Sequence, residues 1–233
     1  MINKLLAFIL FLIFIATSSA NENCSPWDPR CKPIINGGVY GGLTLGYTNL
    51  VGQLNRTLNV NTADRVSSVG ENGVASGVFV GYEKIIDGGF YIAAETFYQY
   101  ANIMIEKDEN TFPGFVNYFT YIKNNHKTGI VAKVGFLHAN NVFYLKTGIA
   151  LSRFILGFKD NTGNTPITSS KSTTQKGLIF GGGMDYFLNR SVAVGLEYEI
   201  TCYQSMNFRN NAVGNFSFKP YSHTFQVRFK YTL

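Results

Sequence analysis

The last twelve residues, Ser222 to Leu233, alternate strictly. Phe225, Val227, Phe229, Tyr231 and Leu233 fall on one face, and Thr224, Gln226, Arg228 and Lys230 on the other. A period of two with one apolar and one polar face predicts a β-strand. The same texture recurs upstream. Gly37–Thr48, Gly73–Glu83, Gly89–Tyr100, Lys127–Leu137, Asn141–Phe154, Lys176–Phe187 and Ser191–Gln204 each alternate large apolar residues with Gly, Ala, Thr or charged ones. With the tail this makes eight strands of about the 9–11 residues that cross a bilayer at a tilt.

The connections alternate too. Lys84–Gly88, His138–Asn140 and Leu188–Arg190 are tight. Asn49–Asn72 lacks apolar periodicity, and Ile155–Gln175 begins with a few apolar residues and ends in polar ones; with Ser205–Tyr221 and Ala101–His126, in which Phe115–Ile122 has the look of a strand of its own, they are expected to be long loops. Four long loops at one end and three turns at the other follow from an even number of antiparallel strands with both termini on the turn side. In lipid an open sheet edge would strand unpaired backbone groups, so the sheet must close. The expected fold is all-β: an eight-stranded antiparallel up-and-down transmembrane β-barrel over residues 37–233.

Residues 1–20 carry Lys4, an apolar run from Leu5 to Ile15 and a small-residue end, Ala16 to Ala20. This is the pattern of a secretory signal peptide cleaved after Ala20. The run is short for a spanning helix, which needs about 20 residues. Residues 21–36 form a proline-stiffened arm in which Cys24 and Cys31 flank SPWDPR. An oxidising compartment lets these two cysteines close a local disulfide, the alternative being two free thiols. Two cysteines without nearby histidines supply too few ligands for a metal.

The formal net charge is +6, but its basic residues are scattered, without a basic helix or zinc-finger spacing. Nucleic acid is therefore not an expected partner. The charges matter more by position. Glu95, Asp185, Glu197 and Glu199 share the inward parity with Lys133, Lys146, Arg228 and Lys230, four acids against four bases. Eight strands leave an interior just wide enough for side chains to fill. The expected arrangement is an internal ion-pair network that plugs the lumen. Lys133 should face Lys146 across the His138–Asn140 turn with Glu95 reaching between them. Glu197 and Glu199 should lie beside Arg228 and Lys230 on one wall.

Catalysis finds little support. Glu197 and Glu199 sit two apart on one strand against bases, and adjacent Ser222 and His223 point to opposite faces, so they cannot form a nucleophile–base pair. Gly181 to Gly183 lies within a strand, outside the strand-to-helix setting of a phosphate loop. No cofactor is expected.

The tail strand FQVRFKYTL, the stretch KTGIALSRF and the run GLIFGGGMDYFLNRSVAVGLEYEI resemble the OmpA-like/opacity-protein superfamily of small bacterial outer-membrane β-barrels. The resemblance covers Gly37 to Leu233 and implies an outer-membrane location with periplasmic termini. It also implies contact with outer-membrane lipids and lipopolysaccharide. It makes Phe225, Val227, Phe229, Tyr231 and Leu233 an assembly signal read by the barrel assembly machinery, although members usually end in Phe. The expected function is non-enzymatic, structural or adhesive through the long loops toward an unidentified surface or host ligand. A small low-conductance porin is the alternative.

Overall fold

The computed structural model describes residues 37–57, 65–108, 118–160, 167–210 and 214–233. The expected signal peptide, the arm and its cysteines Cys24 and Cys31 lie outside them. The strands are β1 (Gly37–Thr57), β2 (Arg65–Ile86), β3 (Phe90–Asp108), β4 (Tyr118–His138), β5 (Asn141–Asp160), β6 (Ile167–Phe187), β7 (Val192–Tyr203), β8 (Met206–Asn210) and β9 (Gly214–Thr232). Each pairs antiparallel with its neighbour, and β1 pairs with β9 to close the sheet. Both β7 and β8 lie along β9, so they are two lengths of one stave interrupted at Gln204 and Ser205. The result is the expected eight-stranded antiparallel closed barrel.

The side-chain parity of the crossing segments is inverted relative to a soluble protein. Leu43, Ile130, Leu145 and Ile149 stand on the outer surface, 61%, 61%, 70% and 61% exposed, while Arg228 and Lys133 are each 1% exposed inside. An apolar belt this continuous needs a nonaqueous partner. Lipid outside and charge within satisfy every strand at once. Three tight connections gather at one end, and Leu233 donates its backbone N–H to Val39 there (2.9 Å). The turn after β4 holds Ala139 at φ 53°, and Gly88 and Gly89 have φ of 83° and 82°.

The four expected loops require correction. Most of their described residues continue the ladders: Asn49 pairs with Asn72 and the register runs on to Arg56 opposite Arg65. Ile155 through Asp160 pair with Ser172 back to Ile167, and Met206 pairs with Phe218. Tyr118 to His126 likewise belongs to β4 rather than to a loop. Beyond the lipid, outward positions need not be apolar, so the period-two contrast disappears although the hydrogen-bonded ladder does not.

Two irregularities shape this upper part. A bulge places one extra residue, Asn125, in β4 relative to β5, where pairing passes from His126–Arg153 to Asn124–Phe154; on the other side it passes from Tyr100–His126 to Ile103–Asn124, skipping Ala101 and Asn102 of β3. It reverses the parity of β4, leaving Asn124 and Ile122 buried inside. Beyond the pair Gly177–Tyr203, β6 has no strand partner on its β8 side among the described residues.

Candidate functional site: the barrel interior

Strand alternation delivers one charged or aromatic residue after another to the lumen, and inward glycines make room for them. A Cβ at Gly81 would approach the Tyr40 hydroxyl oxygen to 2.7 Å, and one at Gly183 would approach that of Tyr144 to 2.7 Å. Both hydroxyls donate to carboxylates, Tyr40 to Glu95 (3.0 Å) and Tyr144 to Glu197 (2.9 Å). The small residues on one strand thus admit the tyrosines that hold the acids of others.

The ion pairs form three tiers. Nearest the tight turns, Lys230 bridges Glu83 and Asp185, each at 2.9 Å. Tyr91 and Thr232 add hydroxyl donors to Glu83 at 3.0 and 3.1 Å. In the middle tier Arg228 binds both oxygens of Glu95, at 2.5 and 3.1 Å, and reaches Glu197 at 2.9 Å. Lys133 lies 2.8 Å from Glu95 and 3.3 Å from Glu197, and Lys146 lies 2.6 Å from Glu197. In the third tier Glu199 pairs with Lys127 and Lys146. The Arg228 guanidinium also stacks over Phe79, 4.0 Å from its ring centre, as a planar weakly hydrated cation does.

Lys133 and Lys146 are direct cross-strand partners. Two like charges so placed repel. Glu197 lies between them, shared by both, while Glu95 meets Lys133 alone of the two. The expected wall of Glu197 and Glu199 beside Arg228 and Lys230 is corrected in part. Glu197 meets Arg228, but Glu199 turns to Lys127 and Lys146, and Lys230 to Glu83 and Asp185. Register explains this. Glu199 lies opposite Thr224 on β9, and Lys230 is six residues further along, about 20 Å at about 3.3 Å per residue. Partners are therefore found across the lumen rather than along one wall.

Glu83 and Lys127 belong to the network and were not among the expected eight. Both share the inward parity of their strands, Glu83 with Phe79 and Lys127 with Val131, so alternation continued by one step would have reached them. With them five acids meet five bases. The interior keeps little empty space: a cavity bordered by Glu95, Lys146, Glu197, Gln226 and Arg228 offers about 10 Å³.

Further from the turns the interior changes character. Thr48 and Thr224 share a hydrogen bond of 3.0 Å, and Asn124 donates to Ser152 at 2.9 Å. Beyond them Leu50, Ile103, Ile122, Phe154, Met206 and Phe218 form an apolar core inside the strand extensions. Sequence reasoning missed this core because all of these residues but Phe154, the last of an expected strand, lie within the stretches assigned to loops. The remaining tail residues, Phe225, Val227, Phe229, Tyr231 and Leu233, line the outer face of β9 and its end, with Phe229 and Tyr231 exposed. Ser222 is buried inside and His223 lies on the outer side, bonded to Tyr198 (2.7 Å).

A closed barrel, apolar outside and ionic within, defines an outer-membrane β-barrel protein. The chain belongs to the family of the outer membrane protein beta-barrel domain, whose profile covers residues 7–232. No curated protein matches the sequence. Among solved structures, it is similar to the outer membrane protein OprG from Pseudomonas aeruginosa, with 12% identity over 87% of this chain and 100% of that one, TM-score 0.50. Neisserial surface protein A (NspA) shares 14% identity over 81% of this chain and 97% of its own, TM-score 0.37. Ail, the attachment invasion locus protein of Yersinia pestis, shares 11% over 84% and 99%, TM-score 0.37. At these identities the likeness concerns the fold.

Proposed function

We propose that this protein is a non-enzymatic surface protein whose plugged barrel anchors a crown of extended strands outside the cell, in a structural or adhesive role. The carrying observation is the lumen. Its charges close on one another, and a cavity of about 10 Å³ among them has room for about one water. The chemistry a barrel offers without a path through it is that of its outer rim, where a rigid scaffold holds connecting segments for contact. The charge network over Glu83, Glu95, Asp185, Glu197 and Glu199 is read as structural, and the alternating tail as the assembly signal. The three tight turns and both described chain ends lie on the periplasmic side in this reading.

A tag inserted at Asn61 or Asn164 is expected to bind antibody on intact cells, and one inserted between Asp87 and Gly89 only after the outer membrane is opened. Equal labelling of all three sites on intact cells would overturn the orientation. The porin alternative is tested separately. Purified protein in a planar bilayer is expected to give no stepwise conductance, whereas reproducible single-channel steps would establish a porin in place of the plugged anchor.

A further inference from the structure

The strand extensions do not close the wall all the way round. The β6–β7 ladder ends where Gln204 donates its backbone N–H to the Lys176 carbonyl at 3.0 Å. Past that bond β6 continues to Ile167 and the neighbouring stave continues as β8. Among the described residues this part of β6 pairs with β5 alone, and β8 with β9 alone. A bulge parts them. Between the pairs Cys202–Tyr221 and Met206–Phe218, the β7–β8 stave contributes Tyr203, Gln204 and Ser205 while β9 contributes Lys219 and Pro220. The extra residue bends its strand, and Pro220 has no N–H to contribute to a ladder there. The rim is left with a seam, β6 on one bank and β8 on the other.

Backbone geometry says what the seam offers. In an antiparallel ladder the N–H and C=O of one residue serve the same neighbour, and every second residue repeats the direction. The Lys176 carbonyl points to the β7 side, so the backbone groups of Thr174, Ser172, Ser170 and Thr168 point into the seam, and the residues between them hold β5. The β5–β6 register runs without a shift from Leu151–Lys176 to Asp160–Ile167, which keeps this phase to the end. Side-chain exposure agrees. Lys171 shares the inward parity of buried Ile179, yet it is exposed, as are Ser170 and Ser172 on either side of it. No stave stands beside them to cover one face. An open edge of this kind is a template on which an extended peptide adds as a further strand.

Charge selects the peptide. The chain has no Asp or Glu between Asp160 and Asp185, nor any after Glu199. Both banks of the seam therefore lack carboxylates, while Lys171, Lys176 and, beside the bulge, Lys219 are exposed. The wall also parts between β2 and β3, whose pairing stops at Ala75–Ala101, but there Glu71 and Glu106 are exposed and an acidic strand is repelled. A second barrel fits the β6–β8 seam poorly. Its own strand edges lie within its own wall, and two walls meet edge to edge only if one of them opens. A single extended chain needs no such opening.

We infer that the seam between β6 and β8 is a strand-addition site for an acidic, extended segment of another protein. This names the partner class for the contact role proposed above and rests on that reading.

Detergent-purified protein is titrated against a short fluorescein-labelled peptide alternating Thr and Glu, with binding read by fluorescence anisotropy. The peptide is expected to bind, and its Thr–Lys counterpart to bind at least about tenfold more weakly, the loss of one or more charge-assisted contacts. Methylating the backbone nitrogens of two adjacent central residues leaves the peptide's charge unchanged but removes a ladder N–H from each of its edges. That change is expected to cost about tenfold on the unaltered protein. Ser170→Pro/Thr174→Pro deletes two N–H groups that face the seam and none that holds β5, and is expected to weaken the Thr–Glu peptide by a similar factor. Lys171→Gln/Lys176→Gln is expected to do the same, whereas the charge-matched Lys84→Gln/Arg190→Gln, exposed at the turn end, is expected to keep the parent affinity. Undiminished binding of the methylated peptide would overturn strand addition. Equal loss in the two charge variants would reduce the effect to net charge and overturn the site. Self-association of the parent that the proline variant abolishes, with no peptide bound, would make a second copy the occupant and overturn the foreign partner. Absent peptide binding with correct tag exposure on cells would overturn the seam and leave the anchor standing; channel steps with peptide binding intact would do the reverse.

Discussion

Replacing Glu197 by Gln is expected to lower the stability of the folded barrel by roughly 3–5 kcal/mol, the cost of leaving buried cations without their counter-ion. Glu197 is 1% exposed and sits at the centre of the network. Lys146 at 2.6 Å, Arg228 at 2.9 Å and Lys133 at 3.3 Å converge on it. Gln226 and Tyr144 donate to the same carboxylate at 2.6 and 2.9 Å. The amide of Gln keeps the shape and can still accept one or two of these bonds, so the effect isolates charge. Glu95 remains for Arg228 and Lys133, and Glu199 for Lys146. Lys133 and Lys146, direct partners across β4 and β5, then face each other with less screening. Adding Lys146→Met removes one cation and is expected to restore part of the loss, since Glu199 keeps Lys127. Equilibrium unfolding in urea with lipid vesicles measures both variants. An unchanged unfolding midpoint for Glu197→Gln would mean that water reaches these charges, and the plug would have to be abandoned.

Ile149→Arg is expected to cost about 2–4 kcal/mol in the same assay, the range for a cation on the lipid face near mid-bilayer. Ile149 is 61% exposed on the outer surface of β5, with Ile130 and Leu178 beside it in register. In a soluble protein so exposed a position would accept Arg within about 0.5 kcal/mol. The contrast between solvents is therefore the measurement. Ser68→Arg, on the outer face of β2 beyond the belt and opposite Gln53, supplies the reference and is expected to stay within about 0.5 kcal/mol. Equal, small effects at the two positions would place Ile149 in water and remove the membrane-spanning belt from this face.

The belt is where the sequence speaks most clearly. Lipid demands apolar residues outside at every second position, and the narrow interior demands small or polar ones between them. Phe225, Val227, Phe229 and Tyr231 against Thr224, Gln226, Arg228 and Lys230 display that demand directly, and eight such stretches with three tight turns imply a closed, even-numbered barrel. Inward placement of Glu95, Lys133, Lys146, Asp185, Glu197, Glu199, Arg228 and Lys230 follows from the same parity, and the ladder places all eight inside.

Alternation assigns a face but no partner. Which acid meets which base depends on the stagger between strands and on distance across the lumen. Only the closed register sends Lys230 to Glu83 and Asp185 and Glu199 to Lys127. Beyond the membrane the demand for contrast lapses, so the strand extensions read as polar loops, and their apolar core around Leu50, Ile103, Phe154 and Phe218 emerges only when four distant stretches are brought together. The extra residue at Asn125 belongs to tertiary structure as well, because a bulge is defined by its partner strand. By reversing the parity of β4 it sends Asn124 inward to Ser152 while His126, one pair below, stays outside beside Arg153. Residue by residue the sequence determined inside and outside wherever lipid enforced the difference; pairing, extension and the upper core were decided by closure of the sheet, which juxtaposes residues that no local pattern connects.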